Sequence, residues 1–419
     1  MKKRIVWVPW IKEQGDVLID EVLSSAKNLE AVPLRFHAAS DEDKRRSLLD
    51  FAVQCPTAFA RLFERRLMEL DGPLHAMVLT LDWIGPMKVA AAVAAHHGLP
   101  VVILPHEGVF IEPDRFYTNP YGGTNVPSGD IFLAWGGFQM EQMEERGYPK
   151  NRIVCVSSPK LQAARLYRPK MSKRDYASRF GFKENKPIVL FAAQNLDNCG
   201  DPDAARIRQA DALEDIAAVC SQNNFELIVR LPPANISPIF MNEIAKRFPG
   251  NPQFVITKFE EDRIELDPRE AMTHAGCVVS ISSTMLLEKG LMDGPTLVLD
   301  YIGTQSIFIT RGKCPSVSSR SEMQKQLPAL VASGKRSFTK PGWRQMEKDF
   351  SGGSFEDSDA AQRITDILDS LNFSHFLDGR PALFSGFLRP SGIALGLFHL
   401  FRRLPRGRTI ARKLFAAIS

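Results

Sequence analysis

The sequence predicts an α/β protein built as two parallel-sheet lobes facing each other across a cleft. Three observations predict it. Ten short runs rich in Val, Ile and Leu are nearly continuous in apolarity rather than alternating, which means burial on both faces, as in a parallel sheet covered by helices. Helical stretches separate those runs, so strand, helix and strand follow one another as right-handed crossover units. The runs also fall into two series within 419 residues, a length comfortable for two cores.

In order along the chain, the first series is residues 5–9, 76–81, 101–104, 131–135 and 153–156. The chain opens on Met1-Lys2-Lys3-Arg4 before Ile5-Val6-Trp7-Val8. That basic start resembles a secretion signal, but Lys12 and Glu13 close the apolar run too soon, and it reads as a first strand. A helix is expected over 88–97, with His96-His97 at its end. A polar, basic stretch, 165–185, carries Lys170, Lys173 and Arg174 and is the expected boundary. The second series is 188–192, 227–231, 254–257, 277–281 and 296–299, with a helix over 204–223. The lobes are therefore expected at 1–165 and 186–345. Gly352-Gly353 punctuates the chain before an amphipathic helix in which Ile364, Ile367, Leu368 and Leu371 share a face. This closing helix, 353–372, is expected to cross back to the first lobe.

The tail, 381–419, is different. Phe384, Phe387, Leu388, Ile393, Leu395, Leu397, Phe398, Leu400 and Phe401 precede an arginine cluster, and the tail holds seven basic residues, Arg389, Arg402, Arg403, Arg406, Arg408, Arg412 and Lys413, with no acidic one. The whole chain nets +5, so the body is close to neutral and the basic character is local. That suits either a helix on the body or a segment lying on an anionic membrane surface, and it argues against a nucleic-acid face. No 18-residue apolar run suggests a spanning helix. Six cysteines without CxxC spacing fit reduced thiols in the cytoplasm, and no metal site is expected.

Five stretches suit chemistry. Cys277 to Pro295 runs from a buried strand through Ser282-Ser283-Thr284 into a helix and a Gly294-Pro295 turn. Small hydroxyl residues at a helix start admit a diphosphate, and Glu288 one turn on suits ribose hydroxyls; equally, the hydroxyls cap the helix and Glu288 is a surface carboxylate. Pro105-His106-Glu107-Gly108 follows a strand at the sheet edge where α/β proteins hold ligands, and His106 with Glu107 is a titratable pair. Asp82-Trp83 follows another strand: Asp82 is a base or a helix cap, Trp83 a sugar-stacking ring or a core residue. Gln194-Asn195 opens the second series and suits a donor phosphate or base, while Asp201-Pro202-Asp203 reads as a helix start rather than a metal motif. Arg230 suits a phosphate or a strand-end salt bridge. GxxxxGK[ST], HExxH and GxSxG motifs are absent, which removes the common triphosphatase, zinc-protease and hydrolase readings.

The order of these pieces resembles the GT-B glycosyltransferases of bacterial surface polysaccharide synthesis, including Kdo-transferase and glycerophosphotransferase relatives. Pro105-His106-Glu107-Gly108 is similar to their proline-histidine-glycine loop. Ser128 to Gly136 followed by Gly147, 153–156 and Ser157-Ser158-Pro159 is similar to their linker-proximal pattern, where Gly-Ser-Pro is usual. Ser282-Ser283-Thr284 with Glu288 and Gly294-Pro295 is similar to their donor-binding strand and helix. The resemblance, over residues 1–372, implies two Rossmann-like domains facing across a cleft and a phosphate at Ser283 and Thr284. It also implies ribose at Glu288, an acceptor loop at His106 and no bound metal or cofactor. Pro232-Pro233 stands where Kdo-transferase relatives carry His-Pro, which points away from a cytidine-monophosphate sugar.

The expected activity is glycosyl transfer from a nucleotide sugar to a surface polysaccharide or lipid-linked glycan at the inner face of the cell membrane. Gln194, Asn195, Arg230, Ser282, Ser283, Thr284 and Glu288 would bind the donor. Asp82, His106 or Glu107 would deprotonate the acceptor, with Trp83 and Gly108 lining its site. Three alternatives share the architecture: a sugar-nucleotide 2-epimerase, which uses several acids and bases around the sugar and no acceptor; a polyol-phosphate transferase; and a silent glycan-binding or assembly protein.

Overall fold

The structure, a computed structural model, describes residues 2–24, 26–34, 42–108, 128–197, 199–233, 237–250, 253–260, 263–304 and 306–370. The basic tail at 381–419 and the last residues of the predicted closing helix lie outside the described residues, and with them the expected membrane contact.

Two six-stranded sheets, every described pairing parallel, form the frame. The first contains β1 (Lys3–Val8), β2 (Leu29–Pro33), β3 (Ala76–Leu79), β4 (Val101–Ile103), β5 (Ile131–Ala134) and β6 (Ile153–Cys155), in the order β2-β1-β3-β4-β5-β6. The second contains β7 (Ile188–Ala192), β8 (Glu226–Arg230), β9 (Val255–Thr257), β10 (Cys277–Ser280), β11 (Thr296–Leu299) and β12 (Ser316–Val317), in the order β12-β11-β10-β7-β8-β9. Each order reverses direction across the sheet, as in doubly wound α/β proteins. All ten predicted strands are present. The two additions, β2 and β12, are edge strands, and half-exposed Leu-Glu-Ala-Val-Pro or a two-residue Ser-Val pair carries none of the continuous apolarity of a central strand.

The helices, in chain order, are α1 (Lys12–Leu23), α2 (Glu42–Gln54), α3 (Pro56–Met68), α4 (Gly85–His96), α5 (Gly137–Glu145), α6 (Pro159–Leu166), α7 (Lys173–Arg179) and α8 (Pro202–Gln222). They continue with α9 (Pro238–Arg247), α10 (Pro268–His274), α11 (Met285–Leu291), α12 (Ile307–Thr310), α13 (Arg320–Ser333), α14 (Lys340–Ser351) and α15 (Ala360–Ser370). Local signals fix their starts: Pro86 stands in the first turn of α4, and the Asp201 carboxylate caps α8 by accepting from the Ala204 N–H at 3.1 Å. Asp201-Pro202 is thus a helix start. None of the helices among the described residues is long and apolar enough to cross a membrane.

Alternate residues of each central strand enter opposite layers, so both faces of both sheets are covered. In the first lobe Val6, Met77, Leu79 and Ile103 pack with Phe59 and Phe63 of α3, while Ile5, Trp7, Val78 and Leu133 pack with Leu18 and Val22 of α1. That second layer also contains Ile364 and Leu368 of α15, so α15 returns to the first lobe. In the second lobe Val189 and Phe191 face Leu213 and Ile216 of α8, and Leu190 and Val278 face Leu286, Phe308 and Phe350.

The predicted polar linker is more ordered than its composition suggests. It contains α7, whose Tyr176 is fully buried and stacks on His274 with ring centroids 4.6 Å apart. Just before it, the buried Glu270 carboxylate accepts from the Tyr167 hydroxyl at 2.5 Å and from the N–H groups of Lys170 and Met171 at 3.0 and 2.9 Å, and sits 3.0 Å from His274 Nε2. The return passage is equally defined. Arg311 bridges Glu141 of α5 at 2.9 Å and Asp349 of α14 at 3.1 Å. Gly352 ends α14 with φ +67°, and any side chain there would overlap Cys155 Sγ at the end of β6. Gly136, in the turn after β5, lies so close to the Asp349 carbonyl that a Cβ would overlap it.

Candidate functional site

The carboxyl ends of the two sheets carry most of the residues that the sequence singles out, and the structure sorts them into three groups. The first group is engaged in the interior. Asp82 is fully buried: Oδ1 pairs with Arg146 Nη1 at 2.9 Å, and Oδ2 accepts from the Ser128 N–H at 3.0 Å and from the Tyr148 hydroxyl. Burial would raise its pKa, but the Arg146 charge and these donors outweigh it and hold the carboxyl below its ordinary value. With both oxygens committed, Asp82 is a poor proton acceptor, and the expectation of a base there is corrected. Trp83 is likewise core, with the Arg146 guanidinium 5.8 Å from its ring centroid, so it does not present a stacking face to a sugar.

Gln194 stitches the second sheet together. Its side-chain oxygen accepts from the Ser282 N–H at 2.7 Å, while its own N–H and C=O exchange hydrogen bonds with Gln209 at 2.8 and 2.9 Å. The Asn195 side chain is tied to Asp197, and its carbonyl accepts from Arg206 Nε at 3.0 Å. Ser282 is buried, its Oγ 3.4 Å from that of Ser306. These residues shape the β10–α11 turn from behind.

The second group stands on the first-lobe loop after β4. His106 is buried, and neither ring nitrogen has a hydrogen-bond partner among the described residues; Nε2 lies 3.4 Å from Glu107 Oε1. The Glu107 side chain is 36% exposed. Burial would raise its pKa, but His106 and the nearby Lys160 ammonium outweigh that and hold it below its ordinary value. Gly108 lies flat against the Trp135 ring, with no room for a Cβ. The Trp135 indole N–H donates to the Pro105 carbonyl at 3.0 Å, and Gln139 Nε2 donates to the Glu107 carbonyl at 2.7 Å, so the loop backbone is fixed on both sides.

The third group stands on the second lobe. Glu288 is 1% exposed and is no surface carboxylate. Thr284 adopts helical backbone and is not a side-chain cap; its hydroxyl donates to Glu288 Oε1 at 2.9 Å. The Ser283 hydroxyl accepts from the Met285 N–H at 3.3 Å. Arg230 is buried, with Nη1 donating to the Leu266 carbonyl at 2.9 Å. Burial lowers its pKa to about 10 against the opposing influence of Tyr176, Asp267 and Glu288.

One residue that the motif reading passes over is bonded to the third group, and its charge is felt at the second. Lys160, the second residue of α6, donates to Thr284 Oγ1 at 2.8 Å and pairs with Glu288 Oε1 at 3.1 Å, and its charge also reaches Glu107. It stands directly after the Ser157-Ser158-Pro159 turn. Ser157 holds φ +71°, a left-handed backbone costly for a residue with a side chain, and its buried hydroxyl has no partner among the described residues. Ser158 caps α6 by accepting from the Leu161 N–H at 3.3 Å. The missed signal is electrostatic: a lysine in the first turn of a helix sits at the positive end of the dipole, an unfavourable place unless an anion faces it.

No family model and no curated protein matches the sequence. Solved structures do match. The UDP-GlcNAc 2-epimerase from Neisseria meningitidis bound to UDP-GlcNAc aligns over 88% of this chain and 100% of its own, with TM-score 0.59 and 14% identity. The S. aureus MnaA–UDP structure covers 91% and 99%, with TM-score 0.57 and 12% identity. The chain has a GT-B-like fold. A third GT-B-like neighbour is Anabaena Alr3699/HepE in complex with UDP and glucose, at 88% and 99% coverage, TM-score 0.52 and 11% identity. The His106–Glu107 loop follows β4 of the first sheet and the Thr284–Glu288 pair follows β10 of the second, where Lys160 is bonded to both members of the pair.

Proposed function

We propose that this GT-B-like chain binds a uridine-diphosphate sugar and inverts one of its carbon centres, as a sugar-nucleotide 2-epimerase. The reading is carried by the pairing of His106 and Glu107 on one fixed loop, with Glu288 held by Lys160 on the other lobe. An ionised carboxylate beside an imidazole whose nitrogens have no hydrogen-bond partner among the described residues supplies a proton acceptor and a proton donor on one loop. Inversion at a carbon needs that pair: one C–H bond breaks and one forms on the opposite face, with no change in composition and no second substrate. A transferase needs one base and a place for an acceptor. Two of the acceptor-side residues expected from the sequence, Asp82 and Trp83, are locked in the interior. Glu288 and Thr284 suit ribose hydroxyls, and Ser283 the phosphate end.

Neighbours whose names refer to UDP-GlcNAc 2-epimerases and to bound UDP support this reading over the Kdo-transferase, glycerophosphotransferase and capsule-transferase expectation. The test is incubation with UDP-GlcNAc alone in deuterated water, followed by proton NMR. The expected outcome is a 2-epimer carrying solvent deuterium at C2. Sugar release that appears only when a glycan acceptor is added would restore glycosyl transfer, and tight UDP binding without any turnover would favour a silent binding protein.

A further inference from the structure

We infer that Lys160 changes partners when a ligand enters: the ammonium that joins Glu288 and Thr284 moves to an oxygen of an incoming diphosphate, releasing the carboxylate and hydroxyl to neutral groups of the same ligand. This deepens the nucleotide-sugar reading and rests on it. The two ends of the pair differ sharply in freedom. The Lys160 side chain is 40% exposed and the Glu288 side chain 2% exposed, so the cation can swing while the carboxylate stays in place. An ammonium on a four-carbon stem has three rotatable donors, of which Thr284 and Glu288 take two.

The charges around the cleft require such a cation. Glu107 and Glu288 are both carboxylates within the field of Lys160, and a diphosphate brought near them is repelled unless a positive group meets it. Arg230 is unsuited to that task, because it is buried and tied to the Leu266 carbonyl. It is well placed for another: its field reaches Glu288 and balances that carboxylate once Lys160 departs. Lys160 pairs with Glu288 from the end of a turn whose Ser157 is held in left-handed backbone, a local strain that fixes where α6 begins and hence where the ammonium points.

Calorimetric titration of the full chain with UDP and with uridine tests the exchange. Lys160→Met is expected to weaken UDP about 10- to 100-fold, the span of one charge-assisted contact, and to change uridine affinity by less than about threefold. Lys160→Arg is expected to keep most of the UDP affinity. Should Lys160→Met fail to fold, Lys160→Gln retains a donor to Thr284 and Glu288 and carries the same comparison. Equal losses for UDP and uridine would mean that Lys160 acts only by holding Glu288, and unchanged UDP affinity would mean no phosphate contact; either result overturns the exchange while leaving the nucleotide reading intact. A wild-type chain that binds neither compound overturns the nucleotide reading and the exchange together.

Discussion

Two carboxylates that look alike in the sequence, each just beyond a first-lobe strand, have opposite fates in the structure. Asp82 is closed in by Arg146, Tyr148 and the Ser128 N–H, whereas Glu107 is partly exposed beside His106 and Lys160. Substitution should separate them. Asp82→Ala leaves Arg146 buried without its anion and is expected to cost about 3–5 kcal/mol of stability, read from denaturant midpoints. Glu107→Gln is expected to leave the midpoint within about 0.5 kcal/mol and to slow turnover about 10²- to 10⁴-fold. Sequence reasoning located both residues because strand ends in a parallel sheet are readable from apolar runs. It did not separate them, because Asp82's partners, Ser128, Arg146 and Tyr148, lie 46 to 66 positions away. Lys160 escaped for the same reason, its partners being 124 or more positions distant.

Among the elements, the short linker ahead of α7 depends most on a single side chain. Glu270 gathers Tyr167, Lys170, Met171 and His274, and although burial would raise its pKa, those donors outweigh it and lower it. A carboxylate whose folded pKa is depressed contributes stability that is fully present above its unfolded pKa and is lost as pH falls through the folded one. The wild-type chain is therefore expected to weaken progressively below pH 4.5 through this group. Glu270→Ala should lower stability by about 3 kcal/mol at neutral pH, with a shallower loss on acidification, measured by urea melts at pH 7 and pH 4. The helix inside this stretch was invisible to composition. Lys173 to Arg179 is polar on most of its surface, and its one deeply anchored ring, Tyr176, finds its place between Phe180 and His274 of α10.

For the molecule as a whole, the architecture was legible because burial on both sheet faces leaves a strong mark, ten Val- and Ile-rich runs in two series. The closing helix was legible from the spacing of Ile364, Ile367 and Leu368, whereas its packing on the first lobe was expected only by analogy with two-lobed enzymes. Its energetic weight follows from packing: Leu368→Ala, some 360 positions from β1, is expected to cost about 2–5 kcal/mol and to act on the first lobe. Hydrogen exchange in α1 and β1 should accelerate in that variant while β7, β8 and β10 keep their protection.

The polypeptide passes between the lobes twice, once at 167–172, tethered to Glu270, and again at 352–359, beyond the glycine pressed on Cys155. Two straps fastened at separate points behave as a door on a pair of pins. Swinging about the line through both would stretch neither, whereas twisting would stretch one of them.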